Sequence, residues 1–187
     1  MNVLTIDIDY AFSPSISIYD DYVIGSRISF ESQKSILNEE KLPEPKLNIE
    51  KFNDIKKVLN YARPNAPVIS IEHHHEILDY IPKKIKVSLQ NIDHHHDIFY
   101  PDWHDLDQLD EGNWVYHLSK TNQLEKYTWF KNNDSEPFCN CIDLNFDFSQ
   151  YLEIKEKYIL MPDIIILCSS PHWTYDVDNL LIEELLR

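Results

Sequence analysis

The sequence contains very little glycine. Only two glycines, Gly25 and Gly112, occur among its 187 residues. A phosphate-binding loop or a dinucleotide-binding turn needs several glycines at fixed spacings, because the backbone must approach the phosphate groups closely. The chain therefore carries no nucleotide-binding fingerprint of either kind.

Basic side chains are also scarce. The chain has 17 lysines and arginines against 32 aspartates and glutamates, which gives a formal net charge of −15. A nucleic-acid-binding protein needs basic side chains to neutralise phosphates, so the balance argues against nucleic acid as a partner. The acidic excess favours a cationic partner, such as an arginine-containing peptide, or serves only to keep the protein soluble. Both interpretations stay open at this point.

The chain has few cysteines and no long apolar run. Its three cysteines, Cys139, Cys141 and Cys168, do not have zinc-site spacing, and we expect no bridge between Cys139 and Cys141, which are only two residues apart. No run approaches the ~18 apolar residues of a membrane-spanning helix. The N-terminal residues lack the charged and apolar regions of a signal peptide. We therefore expect a cytoplasmic protein that does not span a membrane.

The pattern of apolar residues predicts an α/β fold. The length and the 43% content of hydrophobic residues are typical of a single globular domain over residues 1–187. Short apolar runs, clearest at residues 3–9, 85–92 and 164–168, alternate with helical patterns such as the one that begins at Asn48. This alternation predicts a mainly parallel sheet. In such sheets, ligands bind beyond the carboxyl ends of the strands.

A cluster of metal-ligating residue types follows the apolar run at residues 85–92. Its sequence is Asp-His-His-His-Asp, from Asp93 to Asp97. If the extended backbone continues through the cluster, Asp93, His95 and Asp97 point to one face. Carboxylates with one imidazole suit Mn²⁺ or a similar first-row divalent ion better than an ion that prefers thiolates.

Two other predicted strands end in similar groups. Asp7 and Asp9 close the first apolar run, and His74 and Glu76 follow the run at residues 67–71. Neighbouring carboxylates repel each other unless a cation lies between them. The three stretches together therefore predict one shared metal site.

These motifs resemble those of a known superfamily. Asp-x-His-x-Asp at 93–97, Asp-x-Asp at 7–9 and the strand-terminal His74 are similar to the binuclear manganese signature of the arginase and agmatinase superfamily. The opening residues, Gly112-Asn113-Trp114 and the run at 162–174 resemble the small arginase-like proteins that include the peptide arginases. Peptide arginases convert arginine side chains of ribosomally made peptides to ornithine. In typical arginases the Asp-x-Asp strand follows the Asp-x-His-x-Asp strand, whereas here it opens the chain.

The resemblance implies a fold and a set of site residues. The fold is a three-layer αβα domain of the arginase and deacetylase type, with two Mn²⁺ as cofactors. One ion would be held by His74, Asp93, Asp97 and Asp7, and the other by His95, Asp93, Asp7 and Asp9. Asp97 would also be catalytic, carrying a proton to the leaving nitrogen. The substrate-binding candidates are Glu76, Asn113, Trp114 and His172, with the acidic residues of 102–111 as further candidates for the carboxylate that binds the guanidinium.

The function implied by the resemblance is hydrolysis of arginine side chains in a precursor peptide, with release of urea. A metallohydrolase of the same fold that acts on a free guanidine or an acylated amine is an alternative, and so is a non-catalytic metal-binding protein. Trp114 fits the core of the protein as well as it fits a substrate entrance. Whether the chain forms a homo-oligomer stays open.

Overall fold

A six-stranded sheet forms the centre of the protein in a computed structural model, which describes residues 1–13, 35, 38–39, 41, 46–101, 105–139, 142–170 and 178–187. All neighbouring strands of this sheet are parallel. In chain order they are β1 (Asn2–Asp7), β4 (Val68–Ile71), β5 (Val87–Ile92), β6 (Leu124–Phe130), β7 (Asp147–Tyr151) and β8 (Ile164–Cys168). Their spatial order is β4-β8-β1-β5-β6-β7. A separate antiparallel pair consists of β2 (Phe12–Ser13) and β3 (Lys46–Leu47).

Helices cover both faces of the sheet. The α-helices are α1 (Ile49–Ala62), α2 (Trp114–Lys120) and α3 (Asp178–Leu186). Asn48 caps α1, because its side chain accepts hydrogen bonds from the backbone N–H groups of Glu50 and Lys51. Four 3-10 segments complete the described elements, at Ile8–Ala11, Arg63–Asn65, His74–Tyr80 and Glu156–Tyr158.

Side-chain alternation along β1 separates two hydrophobic clusters. Leu4 and Ile6 point towards α1 and α3, which pack on one face. Val3 points to the opposite face, which α2 and the 3-10 segment His74–Tyr80 cover. Because successive side chains of a strand alternate, Thr5 and Asp7 lie on the same face as Val3. Polar groups at the end of β1 therefore lie beneath α2 and the His74–Tyr80 segment.

The predicted α/β class with a mainly parallel sheet is confirmed. Its closer identification with the arginase fold and the single domain stay predictions. The first strand was predicted to run to residue 9, but it ends at Asp7 and Asp9 lies in a 3-10 turn. The assumption that the strand continues through 93–97 is wrong, since β5 ends at Ile92. Most of residues 15–47 lie outside the described residues.

Two further findings concern the cysteines and the membrane. Cys139 is disulfide-bonded, which its spacing to Cys141 did not predict, and Cys168 is a buried free thiol. Within the described part of the chain, no helix is long and apolar enough to cross a membrane.

Candidate metal centre

The predicted ligands meet at the carboxyl-terminal edge of the sheet. Asp7 is the last residue of β1, Asp93 directly follows β5, and His74 lies three residues beyond β4. All three side chains are buried. Parallel strands bring their carboxyl ends to one edge, so residues far apart in the sequence become neighbours here.

A turn at the end of β1 places both of its carboxylates in the site. Asp7 Oδ1 accepts a hydrogen bond of 3.0 Å from the backbone N–H of Asp9. This bond caps the 3-10 turn Ile8–Ala11 and turns the Asp9 carboxylate inwards, where it is 1% exposed. Asp9 Oδ1 accepts from the backbone N–H of His94 at 3.3 Å, which joins the two loops that carry the ligands.

A second turn gathers the residues after β5. Asp93 Oδ1 accepts a hydrogen bond of 2.7 Å from the backbone N–H of His95. Asp97 has a left-handed backbone with φ of 50°, a conformation that aspartate tolerates better than most residues. The indole Nε1 of Trp114 donates to Asp97 Oδ2 at 2.7 Å, and the backbone N–H of Val115 donates to the Asp97 carbonyl at 3.0 Å. The start of α2 therefore fixes Asp97 in place.

One cluster of ligand atoms surrounds His74. Its Nδ1 lies 2.9 Å from Asp97 Oδ2 and 3.1 Å from Asp93 Oδ2. The distance to Asp7 Oδ2 is 3.4 Å. His74 Nε2 is hydrogen-bonded to the Thr5 hydroxyl at 2.6 Å. Since this partner occupies Nε2, Nδ1 is the ring nitrogen that faces the carboxylates.

A second cluster surrounds His95 and shares Asp93 with the first. His95 Nδ1 lies 2.9 Å from Asp9 Oδ2 and 3.7 Å from Asp93 Oδ1. The ligand atoms of His74, Asp93 and Asp97 all lie within 4.8 Å of one another, and so do those of Asp9, Asp93 and His95. Asp93 therefore presents one carboxylate oxygen to each cluster and joins them.

Burial and crowding shift the pKa values of the carboxylates. Burial, together with repulsion from Asp9 and Asp93, raises the pKa of Asp7 well above its usual value. Burial and the nearby Asp93 also raise the pKa of Asp97, to about 7. Burial alone would raise the pKa of Asp93 too, but hydrogen bonds from His74 and His95 hold it well below its usual value.

The pKa values of the His74 and His95 imidazoles are raised, although burial alone would lower them. Burial alone would lower the pKa of His74, but hydrogen bonds to Asp93 and Asp97 raise it well above 6.5. Burial would likewise lower the pKa of His95, but the charge of Asp9 raises it well above 6.5. Without a metal ion, both rings therefore carry a proton at neutral pH and partly balance the carboxylates.

These side chains fit a divalent metal ion. Asp9 Oδ2 is buried, and no hydrogen bond of normal geometry reaches it within the described residues. The oxygen and the His95 Nδ1 lie 2.9 Å apart, within reach of a common cation. Buried carboxylates without full hydrogen bonding are costly unless a cation compensates them. Oxygen and imidazole donors are the ligands that first-row divalent ions accept.

The predicted substrate-binding residues have varied positions. Asn113 is fully buried, and its side chain binds the backbone of Asp105, Gln108 and Asp110, so it organises the preceding loop. Trp114 is fully buried as well and belongs to the core, where its ring lies 5.0 Å from that of His74.

Glu76 is half-buried and accepts a hydrogen bond from the backbone N–H of Glu72 at 3.3 Å. Glu111, from the acidic stretch 102–111, lies 2.5 Å from His73 Nδ1, beside the ligand-bearing residue His74. His172 lies outside the described residues.

Two histidines of the 93–97 cluster, His94 and His96, are buried next to the site and contact its surrounding loops. His94 and His96 are each 1% exposed. His94 Nδ1 contacts Asn132 Nδ2 at 3.1 Å, whereas His96 Nδ1 accepts from the backbone N–H of Ile98 and its ring stacks on Tyr100. These contacts orient the loop after β5, and neither histidine belongs to a ligand cluster within the described residues.

Sequence patterns missed three polar side chains around the site, namely Thr5, Cys168 and Ser170. The Thr5 hydroxyl is hydrogen-bonded to His74 Nε2, and the Ser170 hydroxyl donates a hydrogen bond to Asp7 Oδ2. The position of Thr5 two residues before Asp7 was the available signal, because both side chains then share one face. The sequence offers no comparable signal for Ser170.

No protein-family model, curated protein or solved structure matches this chain.

Metal binding is expected to release more than two protons per protein at pH 7. His74 and His95 have raised pKa values and are protonated in the metal-free protein, and Asp97, with a pKa of about 7, is half protonated. Ligands bind metal as neutral imidazole and ionised carboxylate, so the protons must leave. Metal affinity should rise about tenfold per pH unit for each proton displaced.

Titration of Mn²⁺ into weakly buffered metal-free protein, with a pH indicator, measures this release. His74→Gln should lower it by about one proton, since the ring is protonated before binding. His75→Gln is the matched control, because His75 belongs to no ligand cluster within the described residues. Binding without proton release at pH 7 would contradict the assignment of the imidazoles as ligands.

Proposed function

We propose that this protein is a binuclear manganese hydrolase that converts arginine side chains of a peptide to ornithine and urea. The observation that carries the proposal is the sharing of Asp93 between two buried ligand clusters. Asp93 Oδ2 lies 3.1 Å from His74 Nδ1, and Asp93 Oδ1 lies 3.7 Å from His95 Nδ1. A carboxylate shared in this way is the arrangement that two adjacent metal ions require.

The charge of the cluster supports two divalent ions. Four carboxylates, from Asp7, Asp9, Asp93 and Asp97, are buried at the site. Their four negative charges, when all are ionised, equal the positive charge of two divalent ions bound with neutral imidazoles. The donors are mainly carboxylate oxygens with one imidazole in each cluster, and this combination favours Mn²⁺ over an ion that prefers sulfur.

The residues around the ions have defined tasks in the proposed reaction. Two divalent ions held by these residues would lower the pKa of water towards neutrality and would supply the nucleophile for the guanidinium carbon. Asp97 would accept the proton of that water and donate it to the departing nitrogen. Trp114 keeps Asp97 aligned through its 2.7 Å hydrogen bond. The collapse of the tetrahedral adduct then gives urea and the ornithine amine.

A cationic substrate agrees with the charge around the site. The chain carries a net charge of −15, and Glu111 lies beside His73 with 28% of its side chain exposed. A partly exposed carboxylate next to the ligand-bearing loop is suited to a guanidinium group, which donates paired hydrogen bonds to the two carboxylate oxygens. Glu111 thus joins Glu76 as a candidate for substrate binding.

Mass spectrometry of an arginine-containing peptide incubated with manganese-loaded protein tests the proposal. We expect a loss of about 42 Da per arginine, the mass of the CN₂H₂ unit that departs when urea is released. Free arginine, agmatine and an acetylated lysine peptide are run alongside. An Asp97→Asn variant that retains its metal should show little turnover, because it lacks the proton-accepting oxygen.

Each outcome has a distinct meaning. Reaction of free arginine or agmatine alone would replace the peptide with a small guanidine as substrate. Deacetylation alone would assign the site to acylated amines. Failure of metal-loaded protein to act on any of these substrates would contradict the proposed hydrolase and favour a non-catalytic metal-binding protein.

A further inference from the structure

The Cys168 thiol lies within reach of the candidate metal centre. Cys168 ends β8, and its backbone pairs in register with Asp7 of β1 and with Ile71 of β4. Residues paired in register on neighbouring parallel strands point to the same face of the sheet. The thiol therefore lies next to the Asp7 carboxylate, between the two strands that deliver Asp7 and His74.

The ligand atoms of Cys168, Asp7 and His74 form a compact group. They all lie within 4.8 Å of one another, and each of the three residues is at least nine-tenths buried. Three different donor atoms, namely sulfur, nitrogen and oxygen, therefore lie close together. Sequence patterns favoured Mn²⁺ over an ion that prefers thiolates and did not point to Cys168 as a ligand.

Burial and the nearby Asp7 carboxylate raise the pKa of the Cys168 thiol well above its usual value, so the metal-free site holds a protonated thiol with weak hydrogen bonds. Cys168 Sγ lies 3.4 Å from the carbonyl oxygen of Glu72 and 3.2 Å from Ser170 Oγ. The Ser170 hydroxyl donates to Asp7 Oδ2. Because a thiol is a weak donor, its removal from the Glu72 carbonyl costs little compared with the formation of a metal–thiolate bond.

We propose that Cys168, His74 and Asp7 form a thiolate-containing coordination set for a thiophilic divalent ion such as Zn²⁺ or Cd²⁺. The thiol loses its proton to solvent as the sulfur–metal bond forms. Sulfur, imidazole and carboxylate donors with one open position are typical of zinc coordination. This inference depends on the ligand cluster alone and not on the proposed hydrolytic activity.

A hard ion such as Mn²⁺ and a thiophilic ion such as Cd²⁺ compete, because both would use His74 and Asp7 as ligands. A hard ion at His74 uses the oxygens of Asp93 and Asp97, whereas a thiophilic ion uses the sulfur of Cys168 together with Asp7. One imidazole nitrogen binds one ion at a time. Binding of the thiophilic ion therefore excludes the hard ion from the His74 cluster while the His95 cluster stays accessible.

Titration of the metal-free, full-length protein with Cd²⁺ tests this proposal. A thiolate bound to Cd²⁺ gives a charge-transfer band in the ultraviolet, which oxygen and nitrogen ligands do not produce. We expect the band to grow to one equivalent of Cd²⁺ and to be absent with Mn²⁺. In Cys168→Ser the band should disappear, and Cd²⁺ affinity should fall at least about tenfold.

Control variants distinguish Cys168 from the other cysteines as the source of the ultraviolet band. A Cys139→Ser/Cys141→Ser double variant retains Cys168 and should keep the band. Cys168→Ala provides a second variant, and retained Mn²⁺ binding in either variant shows that the site is folded. A band that survives both Cys168 substitutions, or Cd²⁺ binding to the wild type without a band, would overturn the proposal. The Mn²⁺ titrations report separately on the ligands of the proposed hydrolase.

Discussion

Replacing Asp93 with alanine is expected to abolish divalent-ion binding at both clusters and, with it, turnover. Asp93 is the one residue common to the His74–Asp93–Asp97 and Asp9–Asp93–His95 groups. Its removal leaves each cluster one carboxylate short and leaves the imidazoles of His74 and His95 without their shared counter-charge. Loss of a ligand costs more than loss of a group that only orients one, which already lowers affinity about 10–100-fold.

Isothermal titration with Mn²⁺ and metal analysis after dialysis measure this effect. Asp93→Asn keeps the shape of the side chain and separates loss of the ligand from loss of the fold. Asp79→Ala is the matched control, since Asp79 is an exposed carboxylate in the segment that begins at His74. A folded Asp93→Ala protein that still binds two ions and remains active would refute the assigned site.

Removal of metal is expected to lower the melting temperature substantially. Metal that binds only the folded chain stabilises it by about 4 kcal/mol per ion when its free concentration is a thousand times the dissociation constant. For a chain of this length, each kcal/mol shifts the melting temperature by about 2–4 °C. The expected shift is therefore about 8–16 °C per ion.

The shift is measured by calorimetry of chelator-treated protein with and without added Mn²⁺. The metal-free protein should also lose stability as the pH rises through about 7, because the raised pKa of Asp97 means that the folded state holds a proton that the unfolded state has already lost. Bound metal should remove this dependence. A melting temperature that is insensitive to Mn²⁺ would show that no ion binds the buried cluster.

The sequence predicted the strands β1, β5 and β8 because each contains a run or an alternation of apolar residues that the fold buries. Runs such as the one that became β8 are buried on both faces, a pattern found in parallel sheets. The edge strand β7 has a weak sequence pattern, since its residues are a mixture of exposed and half-buried.

The structure brings the predicted ligand residues together, but not through the strand geometry from which they were predicted. Asp93, His95 and Asp97 do converge, but through a turn capped by Asp93 and a left-handed backbone at Asp97 rather than through strand alternation. Local patterns do not encode that turn, because its shape depends on the start of α2. The same limit explains why sequence patterns did not point to Cys168 as a ligand. Its position beside Asp7 follows from strand register, which the sequence does not reveal.

The place of β8 in the sheet has a consequence for the order of events during synthesis. β8 lies between β1 and β4, although both of those strands leave the ribosome about a hundred residues or more earlier. Until β8 inserts, β4 has no hydrogen-bonded neighbour among the described strands, and the loop that bears His74 is not anchored next to Asp7. The nascent chain therefore cannot assemble the ligand cluster early, and any capture of metal has to follow the closure of a long loop.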